Sequence, residues 1–380
     1  MEITENYTGA AFDELFGLAE RENNSKRRNV IVNFRQGKHV PCSPAQSLEL
    51  FGKLADRIHI DAQGSEIVVI GFAETATAIG AQIAVSLGAG TYIHTTREAY
   101  PEEYRVCDFS EEHSHAAEQY LYSDRGTSVF EGIKHIVFVD DELTTGKTIL
   151  NFINALSGKV SADCRFYAAS VLNGMNAENL EKFTERGVGV FWLVKSDGAL
   201  SAVNKELGVI PRTDRLSGPQ KVPEYIRLSL CGKPEPRLGC SSQEMDRLCG
   251  GFAREVIEKL GGSLTGVSRI DVVGTEECMY PAIRVGRELE KAGYAVTTHS
   301  TTRSPIVPSL SEGYPLNMRG RMPSLYDPDR TVFLYNIHET DMVLVITDAA
   351  PGEANKTAER SLMSLFSAKK AAIVYWRNDE

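Results

Sequence analysis

The chain has 380 residues, 42% of them hydrophobic and 24% charged, so it can bury roughly three quarters of its surface in two or three domains. Its 41 basic and 51 acidic side chains give a net charge of −10, which argues against nucleic acid as a main partner. With no apolar run near the 18 or so residues of a membrane span and no signal-peptide h-region, the expectation is a cytoplasmic, non-membrane protein. The seven cysteines include no Cys-x-x-Cys and no nearby His pair, which argues against a disulfide framework and a structural zinc site and leaves most of them as small buried hydrophobes.

In chain order, the amino end carries one dense basic cluster, Lys26-Arg27-Arg28, and then Asn33-Phe-Arg35-Gln-Gly37-Lys38-His39-Val-Pro41, which by itself reads as a basic surface turn. Ile67–Ile70 predicts a buried strand leading into Gly71-Phe-Ala73-Glu74-Thr75-Ala-Thr and a helix, so that small residues and hydroxyls sit at a helix amino end. That is an anion site or a plain strand-to-helix turn. Arg97 closes a Thr-Thr-Arg, and the polar stretch 98–125 that follows, with Arg105, His113 and His115, is long enough for a lid.

Ile133–Val139 predicts a second buried strand, followed by Asp140-Asp141-Glu142-Leu143-Thr144-Thr145-Gly146-Lys147-Thr148. The spacing of Ile149, Phe152, Ile153 and Leu156 predicts an amphipathic crossover helix after it. Unpaired backbone N–H groups at that helix start, threonine hydroxyls and a glycine allowing close approach make a pocket for one phosphate. The adjacent carboxylates repel phosphate and so face hydroxyls or a divalent cation. A sugar 5-phosphate, with its 2′ and 3′ hydroxyls, meets both demands. A nucleotide P-loop is the competing reading of Gly146-Lys147-Thr148, but its leading glycine position is Asp141; a third is an acidic strand end with an ordinary helix cap.

Arg165–Leu172 and Val188–Val194 predict further strands, so strand and helix alternate as in a parallel α/β sheet. Pro211, Pro219, Pro223, Pro234 and Pro236, with Gly218 and Gly232, then mark a linker. Beyond it the pattern returns: strand Arg269–Val273, helix Ala282–Ala292, strands Tyr294–Thr298 and Asp341–Thr347, and a helix near Lys356–Phe366. Gly71/Glu74, Thr-Thr-Arg at 95–97 and Asp140–Asp141 recur as Gly274/Glu276, Thr-Thr-Arg at 301–303 and Thr347–Asp348, which suggests an internal duplication. Two unrelated α/β domains are the alternative. Glu276, Glu277, Cys278, His299, Arg303, Ser304, Asn317, Arg319, Arg321 and Asp348 are expected at strand ends of the second half, as a second phosphate or nucleotide site or else within a structural or dimerising domain.

The segment from Asp140 to Thr148 resembles the phosphoribosyl-pyrophosphate (PRPP) motif of type I phosphoribosyltransferases, and Asn33–Pro41 resembles the amino-terminal segment of orotate phosphoribosyltransferases. Thr302-Arg303-Ser304-Pro305 matches the signature of the TRSP domain, found after a phosphoribosyltransferase domain in proteins associated with tellurite-resistance gene clusters. The resemblance implies an α/β fold: a type I phosphoribosyltransferase-like parallel sheet flanked by helices with a hood and a mobile loop (1–205), a linker (206–240) and a TRSP domain (241–380), a second α/β domain that reads as a degenerate copy. It implies Mg2+-dependent transfer of a phosphoribosyl group from PRPP to a nucleobase or related heterocycle, in a homodimer. Asp140 and Asp141 would bind the ribose hydroxyls and metal, Thr144, Thr145, Gly146, Lys147 and Thr148 the 5-phosphate, and Ala73, Glu74 and Thr75 the pyrophosphate. Arg97 and Arg105 would serve as catalytic cations, and Arg35, Gly37, Lys38 and His39 as substrate-facing hood residues. A ligand-sensing regulator on the same fold is the rival reading.

Overall fold

The computed structural model describes residues 2–22, 28–109, 119–199, 207–216, 224–353 and 355–378. In chain order the strands are β1 (Ile3–Asn6), β2 (Phe16–Glu20), β3 (Asn29–Asn33), β4 (Ile67–Gly71), β5 (Thr91–His94), β6 (Arg105–Phe109), β7 (Gln119–Tyr122), β8 (His135–Leu143), β9 (Arg165–Asn173) and β10 (Gly189–Ser196). They continue as β11 (Arg215–Leu216), β12 (Tyr225–Leu230), β13 (Arg269–Gly274), β14 (Ala295–Ser300), β15 (Arg319–Pro323), β16 (Thr331–Tyr335), β17 (Met342–Thr347) and β18 (Lys370–Trp376). The α-helices are α1 (Pro44–Arg57), α2 (Thr77–Leu87), α3 (Lys147–Leu156), α4 (Ala177–Glu185), α5 (Ser242–Leu260), α6 (Met279–Lys291) and α7 (Asn355–Met363). No helix among the described residues is long and apolar enough to cross a membrane.

The chain folds into two compact units, each gathered from three stretches. Unit 1 comprises Met1–Gly9, Glu49–Val203 and Pro234–Arg247, and unit 2 comprises Ala10–Leu48, Asn204–Lys233 and Leu248–Glu380. The sheet of unit 1 runs β1-β10-β9-β8-β4-β5, parallel except for the antiparallel edge strand β1. Its central strands are apolar without alternation because both faces are covered: Val68, Val69, Ile70, Ile136, Val137, Phe138 and Val139 have no exposed surface. On α3, Ile149, Phe152 and Leu156 turn inward as their spacing predicts, and Phe152 meets the rings of Phe72 and Phe138. From β4 the chain crosses to β5 and from β8 to β9, in opposite directions along the sheet. A crevice therefore opens beyond the carboxyl ends of β4 and β8, the place where such sheets bind ligands.

Unit 2 has a parallel sheet of order β12-β18-β17-β13-β14, a three-stranded sheet β11-β15-β16 and the hairpin β2-β3. Ala10–Leu48 packs within unit 2, because Ala19, Val30 and Val32 bury their apolar side chains against Ile306, Leu316, Phe333 and Tyr335. The expected linker also carries a strand: Tyr225–Leu230 contains no proline and lies at the sheet edge beside β18. Gly218, Pro219 and Pro223 lie outside the described residues, as do Lys26 and Arg27.

The order β9-β8-β4-β5 in unit 1 is repeated as β18-β17-β13-β14 in unit 2. In both, an antiparallel strand pair is inserted in the chain at the same point, β6-β7 between β5 and β8, and β15-β16 between β14 and β17. The registers agree: Gly71 lies across from Val139, and Gly274 from Ile346. Counting on from these pairs sets Asp140 and Asp141 against Thr347 and Asp348. This is the arrangement an internal duplication requires.

Candidate functional site

Two loops frame the unit 1 crevice. After β8 the acidic residues are still strand: Asp140 and Glu142 lie across from Ser170 and Leu172 of β9, so β8 extends to Leu143 rather than ending at Val139. Asp140, Asp141 and Glu142 are half-buried. Asp140 Oδ1 accepts the backbone N–H of Asp141 at 2.9 Å. Thr144 and Thr145 form the turn, and Gly146 caps α3 in the left-handed conformation with φ 70° and no side-chain cap on the helix. A Cβ at Gly146 would also lie 2.4 Å from Phe183 and 2.7 Å from the Met175 sulfur, so conformation and packing both demand glycine. The open amino end of α3 thus directs its N–H groups and partial positive charge outward, with Lys147 exposed beside it.

The second loop follows β4. The Ala73–Glu74 peptide is cis, and α2 again starts without a side-chain cap. Thr95 anchors the loop: its N–H donates to the Gly71 carbonyl at 2.9 Å, and its Oγ1 accepts from Ala73 N at 2.8 Å. Thr75 Oγ1 donates to Asp141 Oδ1 at 2.8 Å and joins the two loops across the crevice. Arg97, closing the Thr-Thr-Arg, is half-buried. Arg105 on β6 pairs with Glu102 at 2.7 Å and lies over the Tyr120 ring, and although burial opposes its charge, the Glu102 carboxylate holds its pKa above the usual value. His113 and His115 lie outside the described residues.

Lys195 gave no sequence signal, since it lies on β10 far from any motif. Its buried Nζ donates to the carbonyls of Met175 (2.7 Å) and Ser196, and burial lowers its pKa. Met175 is one of the two residues that lie against Gly146, so this ammonium supports the turn before α3.

The other expected residues lie in unit 2. Lys38 is fully buried, with Nζ donating to the carbonyls of Glu276 (2.9 Å) and Thr301 (3.0 Å). Gly37 has φ 70° with Thr298 against it, His39 packs edge-on to Tyr335 at 5.9 Å, and Arg35 N bonds Asn33 Oδ1. The Glu276 carboxylate accepts from Arg303 Nε at 2.7 Å, Arg330 Nη2 at 3.2 Å and Ser324 Oγ at 2.5 Å. Asp348 accepts from the Tyr326 hydroxyl and lies 3.6 Å from Lys233 Nζ. Glu277 and Cys278 are buried beside Glu276, and Ser304 N bonds Thr302 Oγ1. The remaining members of the expected cluster separate from these: Arg319 and Arg321 pair with Asp214 and Glu22, Asn317 N bonds Asn336, and His299 bonds Asp271 in the core. Ser324, Tyr326, Arg330 and Lys233 belong to no short motif and become visible only when the β15-β16 connection and β12 are placed.

Residues 15–193 match the family model described as "Phosphoribosyl transferase", and residues 235–365 match "TRSP domain C terminus to PRTase_2". Over 75 residues the chain is 39% identical to the hypoxanthine/guanine phosphoribosyltransferase of Methanothermus fervidus, a stretch that is 19% of this chain and 38% of that relative's length. Among solved structures, it resembles adenine phosphoribosyltransferase from Trypanosoma brucei in complex with AMP, pyrophosphate and ribose-5-phosphate, at 14% identity over 51% of this chain and 87% of that one, TM-score 0.36. The Giardia lamblia enzyme complexed with 9-deazaadenine gives 16% identity over 48% of this chain and 94% of that one, also with a TM-score of 0.36. Each matched region is less than half of the chain: residues 15–193 are similar to phosphoribosyl transferases, residues 235–365 to the TRSP domain that follows them, and the sheet of unit 1 is type I phosphoribosyltransferase-like.

Proposed function

We propose that unit 1 is a phosphoribosyltransferase, which transfers the 5-phosphoribosyl group of PRPP to a nucleobase or related heterocycle and releases pyrophosphate. The observation that carries the reading is the Thr75–Asp141 hydrogen bond across the crevice, which fixes a carboxylate between two uncapped helix amino ends. The α3 turn, Thr144 to Thr148, takes the 5-phosphate; Asp140 and Asp141 accept from the ribose hydroxyls; Ala73 to Thr75 face the leaving pyrophosphate. Arg97 and Arg105 are the cations proposed for that group.

As the C1–O bond to pyrophosphate breaks and a C1–N bond forms, positive charge grows on the sugar, as it does in glycoside cleavage. Fixing the ribose by its hydroxyls keeps the reacting atoms aligned, and donors aimed at the pyrophosphate stabilise its departing charge. Among the described residues no group of three or more His, Cys, Asp or Glu side chains could hold a metal. Asp140 and Asp141 are consecutive strand residues whose side chains leave on opposite faces, so they would offer Mg2+ one carboxylate and not a chelating pair, which fits an ion usually held by one or two carboxylates together with substrate oxygens and water. Bound there, Mg2+ would supply charge neutralisation of pyrophosphate.

The resemblance of Asn33–Pro41 puts an orotate-like acceptor in the test panel, and the TRSP signature supports a role alongside tellurite resistance. The same reading makes the enzyme a cytoplasmic homodimer, which light scattering checks. Pyrophosphate release from PRPP, measured with and without Mg2+ across orotate, purine bases and related heterocycles, tests the proposal. Base-dependent release is expected. PRPP binding without turnover on any base would favour a regulator, and no PRPP binding at all would end the reading.

A further inference from the structure

The crevice of unit 2 is built like that of unit 1 down to single hydrogen bonds. Thr301 N donates to the Gly274 carbonyl at 3.0 Å, as Thr95 N does to Gly71. Thr301 Oγ1 accepts from Glu276 N at 3.0 Å, as Thr95 Oγ1 does from Ala73 N. Thr302 exchanges two backbone hydrogen bonds with Phe333 of β16, as Thr96 does with Tyr120 of β7. Thr275 Oγ1 donates to Thr347 Oγ1 at 2.8 Å, so a threonine bond also joins the two loops here, although by register these positions answer to Phe72 and Asp140 and not to the Thr75 and Asp141 of unit 1. These pairings set Glu276 against Ala73, not against Glu74 as the sequence alignment of the two halves has it. A carboxylate therefore stands where unit 1 has only a methyl group.

That carboxylate is treated as a bound anion would be. It is 2% exposed and held by two guanidinium groups and a hydroxyl, while the buried Lys38 ammonium lies on the backbone carbonyl of the same residue. Glu276 takes φ 47°, a left-handed conformation rare for a residue with a side chain. Ser324 and Arg330 reach it from the β15-β16 connection, and Tyr326 of the same connection covers Asp348 and Thr275. Asp348 has Lys233 beside it, so in this crevice the Glu276 carboxylate is the group that a competing anion would displace from Arg303 and Arg330.

We propose that the crevice of unit 2 is a second anion site, suited to a phosphoryl group, which the chain closes with its own Glu276 carboxylate. A phosphoryl ligand opens the site by taking Arg303 and Arg330 from Glu276, and guanidinium forks suit phosphate oxygens as well as they suit a carboxylate. The proposal does not depend on transfer chemistry in unit 1, because it concerns binding alone.

Calorimetric titration with inorganic pyrophosphate tests it on full-length protein, Glu276→Gln and Glu276→Gln/Arg303→Gln. The glutamine keeps the shape and removes the competing charge, so a binding component at least tenfold tighter than in the parent is expected, and Arg303→Gln should abolish it. Superimposable titrations of parent and Glu276→Gln, or a new component indifferent to Arg303→Gln, would overturn the proposal in favour of a purely structural ion pair. Should Glu276→Gln fail to fold, Ser324→Ala removes one donor from the carboxylate and leaves both guanidinium groups. A twofold to tenfold gain in pyrophosphate affinity in that variant supports the proposal; no gain overturns it.

Discussion

The two crevices share a strand order, a register and the hydrogen bonds that shape their first loop, yet their polar ends are used differently. In unit 1 the carboxylates after β8 are half-buried, and Asp141 is bound by Thr75 from the facing loop. In unit 2 Thr347 replaces the first acid, the second is bound by Tyr326 and Lys233, and Glu276 is clamped by Arg303, Arg330 and Ser324. The lesson is that the sheet determines where a ligand could sit, while a few side chains at its strand ends determine whether the place is open. Fold alone does not assign function to either crevice.

The largest effect should come from breaking the acidic pair in one unit and not the other. Hydrogen bonds to a charged group contribute roughly 1.5–3 kcal/mol each, so Asp141→Asn should lower phosphoribosyl transfer about tenfold to a hundredfold. Asp348→Asn, at the register-matched position, should leave that rate within about twofold, since it belongs to the other crevice. Steady-state pyrophosphate release from both variants decides the matter. Equal losses would show that the two crevices are not separate in function.

The turns before α3 and α7 give the next contrast. Gly146 has φ 70° with Phe183 and Met175 against its missing side chain, whereas Gly352, before α7, has nothing within 4 Å of where a Cβ would stand. Overpacking of this kind costs about 1–3 kcal/mol, so Gly146→Ala should lower the thermal midpoint by several degrees and weaken PRPP binding. Gly352→Ala should do neither. Calorimetric melting of the two variants measures the difference, and equal midpoints would remove the packing argument.

Much of this was legible in the chain. Continuous apolar runs marked β4, β8, β13 and β17 because parallel strands are buried on both faces, and the repeated Thr-Thr-Arg announced the shared loop geometry. What was not legible depended on contacts distant in sequence. Lys38 reads as a basic turn residue until the β2-β3 hairpin packs in unit 2 and buries its ammonium under Glu276. The Glu74–Glu276 pairing came from letters, and only the hydrogen bond from Thr301 Oγ1 set Glu276 against Ala73. Tyr225–Leu230 was hidden by its proline-rich surroundings, which an edge strand tolerates and a central one does not.

The smallest effect concerns the amino ends of β8 and β17, where register sets His135 against Met342. His135 bonds the Tyr167 hydroxyl at 3.1 Å and stacks on that ring. Burial, aided by the Arg165 charge, lowers its pKa below the ordinary histidine value. The unfolded chain, with a histidine pKa of about 6.5, therefore binds the proton more readily than the folded one. The contribution of the neutral ring is complete above that pH and is lost as pH falls toward the folded pKa. Acidifying from about pH 7.5 to 5.5 should thus destabilise unit 1 through a histidine that unit 2 lacks at the matching position, Met342. His135→Met, which installs the residue of unit 2, should flatten that part of the slope. Urea midpoints at the two pH values, with hydrogen exchange followed in the peptide His135–Leu143, read it directly. If parent and variant lose stability in parallel, the neutral imidazole is not what ties unit 1 to pH, and the difference between the two strands at this position is one of packing alone.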